Sequence, residues 1–235
     1  DLDERRVVHV SPGKGGEAIE AFVEDFMDHS GDIDNLTDLS MDMSPAYIAG
    51  AAENLPDVPL TFDRFHTMKI VNEGVDKVRK AESATTSHLK KLRYVFLKNR
   101  CNLTASQKRS LAKLESMPHL NLKTIRALHI RENLQSIYGE PDLESFEKGF
   151  KRWYFWATHS KLPPMIEAAK TIKRHWDGAL RWFTSRIDNG YLEGLNSLIQ
   201  AAKAKARGYR TFRNFKTIIF LLHGKLDYTL TGLPT

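Results

Sequence analysis

The order of apolar and polar residues divides the chain into a mixed N-terminal stretch and a long helical remainder. Val7-Val8-His9-Val10 is a β-branched run closed by Ser11-Pro12-Gly13 and Gly15-Gly16, which predicts a strand followed by a turn. From Glu17 onward Ile19, Phe22, Val23 and Phe26 recur at three- and four-residue spacing until Ser30-Gly31. That period predicts a helix with Glu20, Glu24 and Asp28 facing outward. Leu36 to Asp42 reads as a second strand, and Ser44-Pro45 offers a capping serine and a first-turn proline to a helix from Ala46 to Asn54. Pro56 and Pro59 bracket a break. Leu60-Thr61-Phe62-Asp63 then predicts a third strand running into a long helix that begins near Phe65.

Alternation of strand and helix describes parallel α/β units, in which functional groups gather outside the carboxyl ends of the strands. Asp42 and Asp63 are expected there. Beyond Arg64 the apolar period is helical almost throughout, through Val71-Val75-Val78, Leu111-Leu114, Leu122 to Ile137, Phe146-Phe150-Trp153 and Ile166 to Trp182. Breaks are expected at Met117-Pro118, Gly139-Glu140-Pro141 and Leu162-Pro163-Pro164. All four tryptophans, Trp153, Trp156, Trp176 and Trp182, fall in this block, which reads as an inserted helical subdomain. The closing segment predicts a helix from Asp188-Asn189-Gly190 to about Ala206, a turn at Arg207-Gly208-Tyr209, and a helix from Thr211 to Leu226.

Composition narrows the class. With 235 residues, 41% hydrophobic and 27% charged, the chain sits in the ordinary soluble range and its length allows one or two domains. No run approaches the roughly 20 apolar residues that span a bilayer, and Asp1-Leu2-Asp3-Glu4-Arg5-Arg6 has no signal-peptide character, so a cytoplasmic protein is expected. The single Cys101 excludes an internal disulfide and a thiolate zinc site within the chain. A metal must then be held by oxygen or imidazole.

The net charge of +6 conceals an asymmetry. Residues 1–63 carry Arg5, Arg6 and Lys14 against fifteen Asp and Glu, a balance of −12, which leaves +18 on the remainder. A basic body attracts polyanions through counterion release, and an acidic block tolerates them when divalent cations lie between. Most carboxylates of the acidic stretch read equally well as a solvated helix face and loops.

Two neighbouring segments near the C-terminal end carry candidate chemistry. Wound as a helix, residues 189–200 place Leu192, Leu195 and Ile199 on one stripe, continued by Ala202 and Ala206, and Asn189, Glu193, Asn196, Ser197 and Gln200 on another face. One carboxylate amid neutral hydrogen-bonding groups suits a metal or phosphate site, although the helical pattern alone fits a solvent-facing polar stripe as well. Next comes a basic tract, Lys203, Lys205, Arg207, Arg210, Arg213 and Lys216, interleaved with Tyr209, Phe212 and Phe215. Its cations suit phosphates, and its rings suit packing in the core.

Four motifs in order complete the reading: Ser40-Met41-Asp42-Met43-Ser44-Pro45-Ala46-Tyr47; Leu60-Thr61-Phe62-Asp63-Arg64-Phe65-His66; Asn189-Gly190-Tyr191-Leu192-Glu193-Gly194-Leu195-Asn196-Ser197; and Arg207-Gly208-Tyr209-Arg210-Thr211-Phe212-Arg213-Asn214-Phe215. In this order the chain resembles, over essentially its whole length, the C-terminal part of DDE transposases of the ISL3 insertion-sequence type. The resemblance implies an α/β fold: an RNase H-like catalytic core interrupted by a large all-helical insertion. Residues 1–84 would form the first part of the core, 85–185 the insertion, and 186–235 the closing helices with the basic tract. Asp42 would be the second catalytic aspartate and Glu193 the closing glutamate. Asp63 and His66 match the family's Asp-x-x-His element and are expected to support the site structurally, with Asp63 held in reserve as a metal ligand.

The family's first catalytic aspartate belongs to a strand that would precede residue 1, so an N-terminally truncated core is expected, and the isolated chain is expected to be inactive. By the same resemblance the reaction is metal-dependent DNA strand cleavage and strand transfer at a two-metal Mg²⁺ or Mn²⁺ site held by Asp42 and Glu193. The partner would be double-stranded DNA at element ends and target, bound by Lys203, Lys205, Arg207, Arg210 and Arg213, with the protein a homo-oligomer on DNA. No membrane association is expected. Two alternatives stay open at this stage: a non-catalytic helical nucleic-acid-binding protein, and a metal-dependent nuclease on the same fold.

Overall fold

The structure, a computed structural model, describes residues 1–13, 15–117, 122–187 and 190–226. By its contacts the chain divides into two compact units. One comprises residues 1–60 with 187–235, the other Thr61–Arg186. The first holds ten Lys and Arg against seventeen Asp and Glu, and the second twenty-five against twelve, so the positive surplus resides in the second.

In the first unit, the Ile19, Phe22, Val23 and Phe26 stripe forms α1, Gly16–Asp28, with Glu20, Glu24 and Asp28 exposed. The helix stops where Ser30 takes a positive φ of 61°. Helix α2, Pro45–Asn54, packs against α1 through two glycines: a Cβ on Gly50 would lie 2.5 Å from the Gly16 Cα. A small core of Val23, Leu55 and Val58, joined by Ile19, Phe22, Ile33, Leu36 and Leu39, lies beneath them. The second predicted strand shortens to β1, Leu39–Met41, and the third is β2, Leu60–Phe62. They form a parallel two-stranded sheet, with the Leu39 N–H donating to the Pro59 carbonyl at 2.9 Å. Among the described residues there is no other sheet, and the chain is mostly helical.

Two local expectations are corrected. Residues 7–10 run extended but form no strand, because no described strand lies beside them; instead the Val7 N–H donates to the His223 carbonyl at 2.8 Å. Ser44 occupies the cap position of α2, but its side chain makes no capping bond; Asp42 Oδ1 accepts from the Ser44 N–H at 3.0 Å. The first unit closes with α10, Gly190–Lys205, and α11, Phe212–His223, joined by the predicted turn.

The second unit is helical. It contains α3 (Arg64–Ser83), α4 (Arg93–Leu97), α5 (Ala105–Glu115), α6 (Lys123–Ile137), α7 (Leu143–Thr158), α8 (Pro163–Arg174) and α9 (Trp176–Ser185). The predicted break at 139–141 falls between helices and that at 162–164 is the start of α8, with Leu162 at its cap position and Pro163 and Pro164 in its first turn, whereas Pro118 lies outside the described residues. The pattern from Ile166 to Trp182 is two helices, parted at His175, whose backbone (φ −118°, ψ 34°) is not helical. Val71, Val75 and Val78 of α3 face α6 and α8, and the core continues through Leu128, Leu134, Phe146, Phe150 and Met165. Trp153 is fully buried and gives its one donor to the Ile130 carbonyl at 3.0 Å, so its ring adds apolar area without stranding an N–H. Tyr138 meets Phe146, Phe150 and Trp182 edge-on, and burial pushes its hydroxyl far above the ordinary titration range.

One carboxylate ties the ends of two helices together. Glu82, in the last turn of α3, accepts the Lys123 N–H through Oε1 at 2.8 Å, and the Thr124 N–H and hydroxyl through Oε2 at 2.8 and 2.7 Å. These N–H groups open α6 and have no partner within that helix, so Glu82 does for α6 what a capping residue does locally. Glu82→Ala should cost about 2 kcal/mol in urea unfolding, since charge-assisted bonds to orphan donors are lost together. Glu82→Gln, which keeps an acceptor but not the charge, should cost roughly half as much; equal stability of all three forms would rule out the capping role.

Candidate active site and nucleic-acid surface

Asp42 follows β1 directly and precedes α2, which places it at the carboxyl end of a strand in the first unit. Its side chain is exposed, with one oxygen engaged by the Ser44 N–H. That bond fixes the carboxylate at the mouth of the turn. Glu193 occupies the first turn of α10, also exposed, where the helix dipole favours negative charge. Both residues belong to the same unit. Among the described residues, no group of three or more His, Cys, Asp or Glu is arranged to hold a metal ion. The donor chemistry of Asp42 and Glu193, exposed carboxylate oxygens at element ends, fits a hard divalent cation such as Mg²⁺ or Mn²⁺.

Asp63 belongs to the second unit and is only 2% exposed. Its Oδ1 accepts the Phe65 N–H at 3.1 Å and so caps α3. His66, partly buried, meets the Phe65 ring edge-on.

On α10 the apolar stripe faces inward as predicted for Leu195, which is buried, and for Leu192, Ile199 and Ala202, which are partly buried. Ala206 departs from the expectation and is exposed, because α10 ends at Lys205. Glu193, Asn196, Ser197 and Gln200 are exposed on the polar face, and Asn189 lies outside the described residues. Asn196 and Gln200 look into a cleft of about 480 Å³, which Val8, Val10, Leu195 and Ile219 also line.

Beyond α10 the backbone turns through a Schellman arrangement. The Gly208 N–H bonds the Lys203 carbonyl at 2.8 Å and the Arg207 N–H bonds the Ala204 carbonyl at 3.0 Å. Arg207 (φ 55°) and Gly208 (φ 93°) are both left-handed, the first a conformation usually left to glycine. Tyr209 stacks on Phe215 at 5.3 Å, its hydroxyl donates to the Ala202 carbonyl at 3.4 Å, and the Lys203 ammonium lies 5.6 Å from the Phe215 ring centre. Two of the three rings therefore fold the turn, while Phe212 stays 42% exposed. Lys203, Lys205, Arg207, Arg210 and Arg213 are exposed, and none pairs with a described carboxylate.

A pair that the sequence pattern did not single out lies in the same unit. His9 Nδ1 and Asp25 Oδ2 are 2.5 Å apart, with Phe22 edge-on to the imidazole. The hydrogen bond to His9 holds the Asp25 carboxyl below its ordinary range, against the opposing effect of burial. Asp25 follows Phe22 by one turn and so sits on the margin of the buried stripe of α1, the one local sign that it is more than a solvated acid.

The comparisons with known proteins agree with these motifs. The profile of DDE transposases of the ISL3 type, described as transposase, matches residues 1–219. The transposase of insertion sequence element IS1001 from Bordetella parapertussis is 24% identical over 214 residues, 88% of this chain and 52% of that protein. The transposase of IS1557 from Mycobacterium tuberculosis is 28% identical over 123 residues, 52% of this chain and 27% of that protein. The chain thus spans about half the length, or less, of these curated relatives. No solved structure matches it. With more than nine-tenths of its residues inside the family profile, the chain belongs to the ISL3-type family of DDE transposases.

Proposed function

We propose that this chain carries the strand-cleaving and strand-transferring part of an insertion-sequence transposase, built as an RNase H-like core with a helical insertion. It acts on double-stranded DNA at element ends and target. The observation that carries the reading is the family match over residues 1–219, which takes in Asp42, Glu193 and the basic tract from Lys203 to Arg213. The chain works as a homo-oligomer on DNA, because two element ends must be brought to one target.

In this reading Asp42 and Glu193 hold Mg²⁺ or Mn²⁺ through hard oxygen donors, and Asp63, while capping α3, is the further candidate ligand. Such cations, when bound, stabilise charge growing on the entering and leaving oxygens of an in-line displacement at phosphorus. The Ser44 N–H keeps the Asp42 carboxylate from rotating away from the strand end. Lys203, Lys205, Arg207, Arg210 and Arg213 hold backbone phosphates and so set the register of the duplex, without reading its sequence.

In the protein as encoded, Asp42→Asn or Glu193→Gln should abolish metal-dependent cleavage of element-end DNA and leave duplex affinity largely unchanged; cleavage at wild-type rate by either variant would reject its assignment. Charge removal at Arg210 and Arg213 should weaken duplex binding and lower the slope of log affinity against log salt by about one for each phosphate no longer neutralised. An unchanged slope would count against this tract. Arg207→Gly should separate two effects: relief of the left-handed strain should stabilise the fold by about 1 kcal/mol while duplex affinity falls. A variant less stable than the parent would contradict the turn geometry described above.

A further inference from the structure

The outward face of α7 has a composition that core packing does not account for. The helix buries Phe146, Phe150, Trp153 and Ala157 along one side. Phe155 is nonetheless 63% exposed and Trp156 43% exposed. The imidazole of His159 lies nearly parallel to the Phe155 ring, with centroids 4.0 Å apart and planes 25° from each other, and His159 Nδ1 lies 2.8 Å from the Phe155 carbonyl. This second bond holds the stacked pair in place. Large exposed aromatics occur singly on many surfaces, but two consecutive rings with an imidazole already laid flat on one of them form a patch.

Charge on the same face selects the occupant. Arg152 stands about one turn before Phe155 and Lys148 about two turns before it on the exposed side of α7, at spacings of three and seven residues. Lys161 is exposed in the turn that follows. None of the three forms an ion pair with a described carboxylate; Glu147, the acid beside Lys148, is engaged by Lys151 at 3.3 Å. The unit that carries α7 has twenty-five Lys and Arg against twelve Asp and Glu. Flat rings flanked by free cations are what an unpaired nucleotide requires, since the base stacks on the ring while its phosphate meets the cation. A duplex offers phosphates but keeps its base faces stacked internally.

We infer that Phe155 and Trp156, with Lys148, Arg152 and Lys161 beside them, form a stacking platform for unpaired nucleobases of DNA. The inference deepens the DNA-processing reading and rests on it. Strand cleavage and joining create frayed or extruded bases, and this platform holds them.

The test uses the full chain and three labelled probes: a short single strand of mixed sequence, the same strand with its bases replaced by abasic sites, and a duplex. Wild type should bind the base-bearing strand about tenfold or more tightly than the abasic one. Phe155→Ala/Trp156→Ala, whose residues lie outside the buried face of α7, should lose that factor for the base-bearing strand alone, with abasic-strand and duplex affinities unchanged. Phe155→Tyr/Trp156→Phe should retain it. Equal affinity of wild type for base-bearing and abasic strands, or equal losses by the alanine variant on all three probes, would overturn the platform. Either result alongside intact duplex binding and Asp42-dependent cleavage would leave the transposase reading standing; absence of affinity for every probe would remove both.

Discussion

Helix α3 is the member on which the helical unit depends. Its Val71, Val75 and Val78 are almost entirely removed from water against α6 and α8; Asp63 caps its first turn, and Glu82 in its last turn caps the first turn of α6. A helix start buried without partners leaves backbone N–H groups unsatisfied, so these two acids let α3 and α6 begin against the core. They are also acids in a unit otherwise dominated by cations. Their negative charge is committed to backbone N–H groups and is therefore not spread over the cationic surface of this unit.

The acidic unit distributes its charge differently. Its carboxylates are mostly exposed, and a few are fixed by hydrogen bonds: Asp42 by the Ser44 N–H two residues on, Asp25 by His9 from a separate segment. Along α10 the polypeptide switches from an acidic first turn at Glu193 to a cationic last turn at Lys203 and Lys205, in keeping with the helix dipole at both ends. A single helix thus carries the candidate metal-binding carboxylate and the start of the candidate phosphate-binding tract. The turn that follows keeps an arginine in a left-handed conformation, folded over the Tyr209–Phe215 stack.

What could be read in the sequence was what is local. The stripe of α1, the start of α2 at Pro45, the extent of α6 and the turn at Arg207-Gly208 follow from spacing and from residues with restricted backbones, and the motifs around Asp42 and Glu193 placed the chain in its family. What was not legible is pairing across distance. A β-branched run such as Val7–Val10 states a preference for extended backbone, but a strand exists only when a neighbour supplies the ladder. Periodicity likewise does not announce the break at His175, since the apolar residues on either side continue in phase. The contacts of Glu82 with Thr124 and of His9 with Asp25 join residues of separate segments, and neither segment's own pattern announces the other.

The contact between Gly16 and Gly50 carries a consequence for Asp42 that no substitution at Asp42 itself would reveal. The two helices touch backbone to backbone, so a methyl group at residue 50 has nowhere to go and α2 must slide outward. Because the N–H that steadies the Asp42 carboxylate belongs to the residue on which α2 is mounted, such a slide would loosen a candidate ligand from two turns away. The smallness of two residues remote from any reacting group thereby sets how firmly an acidic side chain can be aimed.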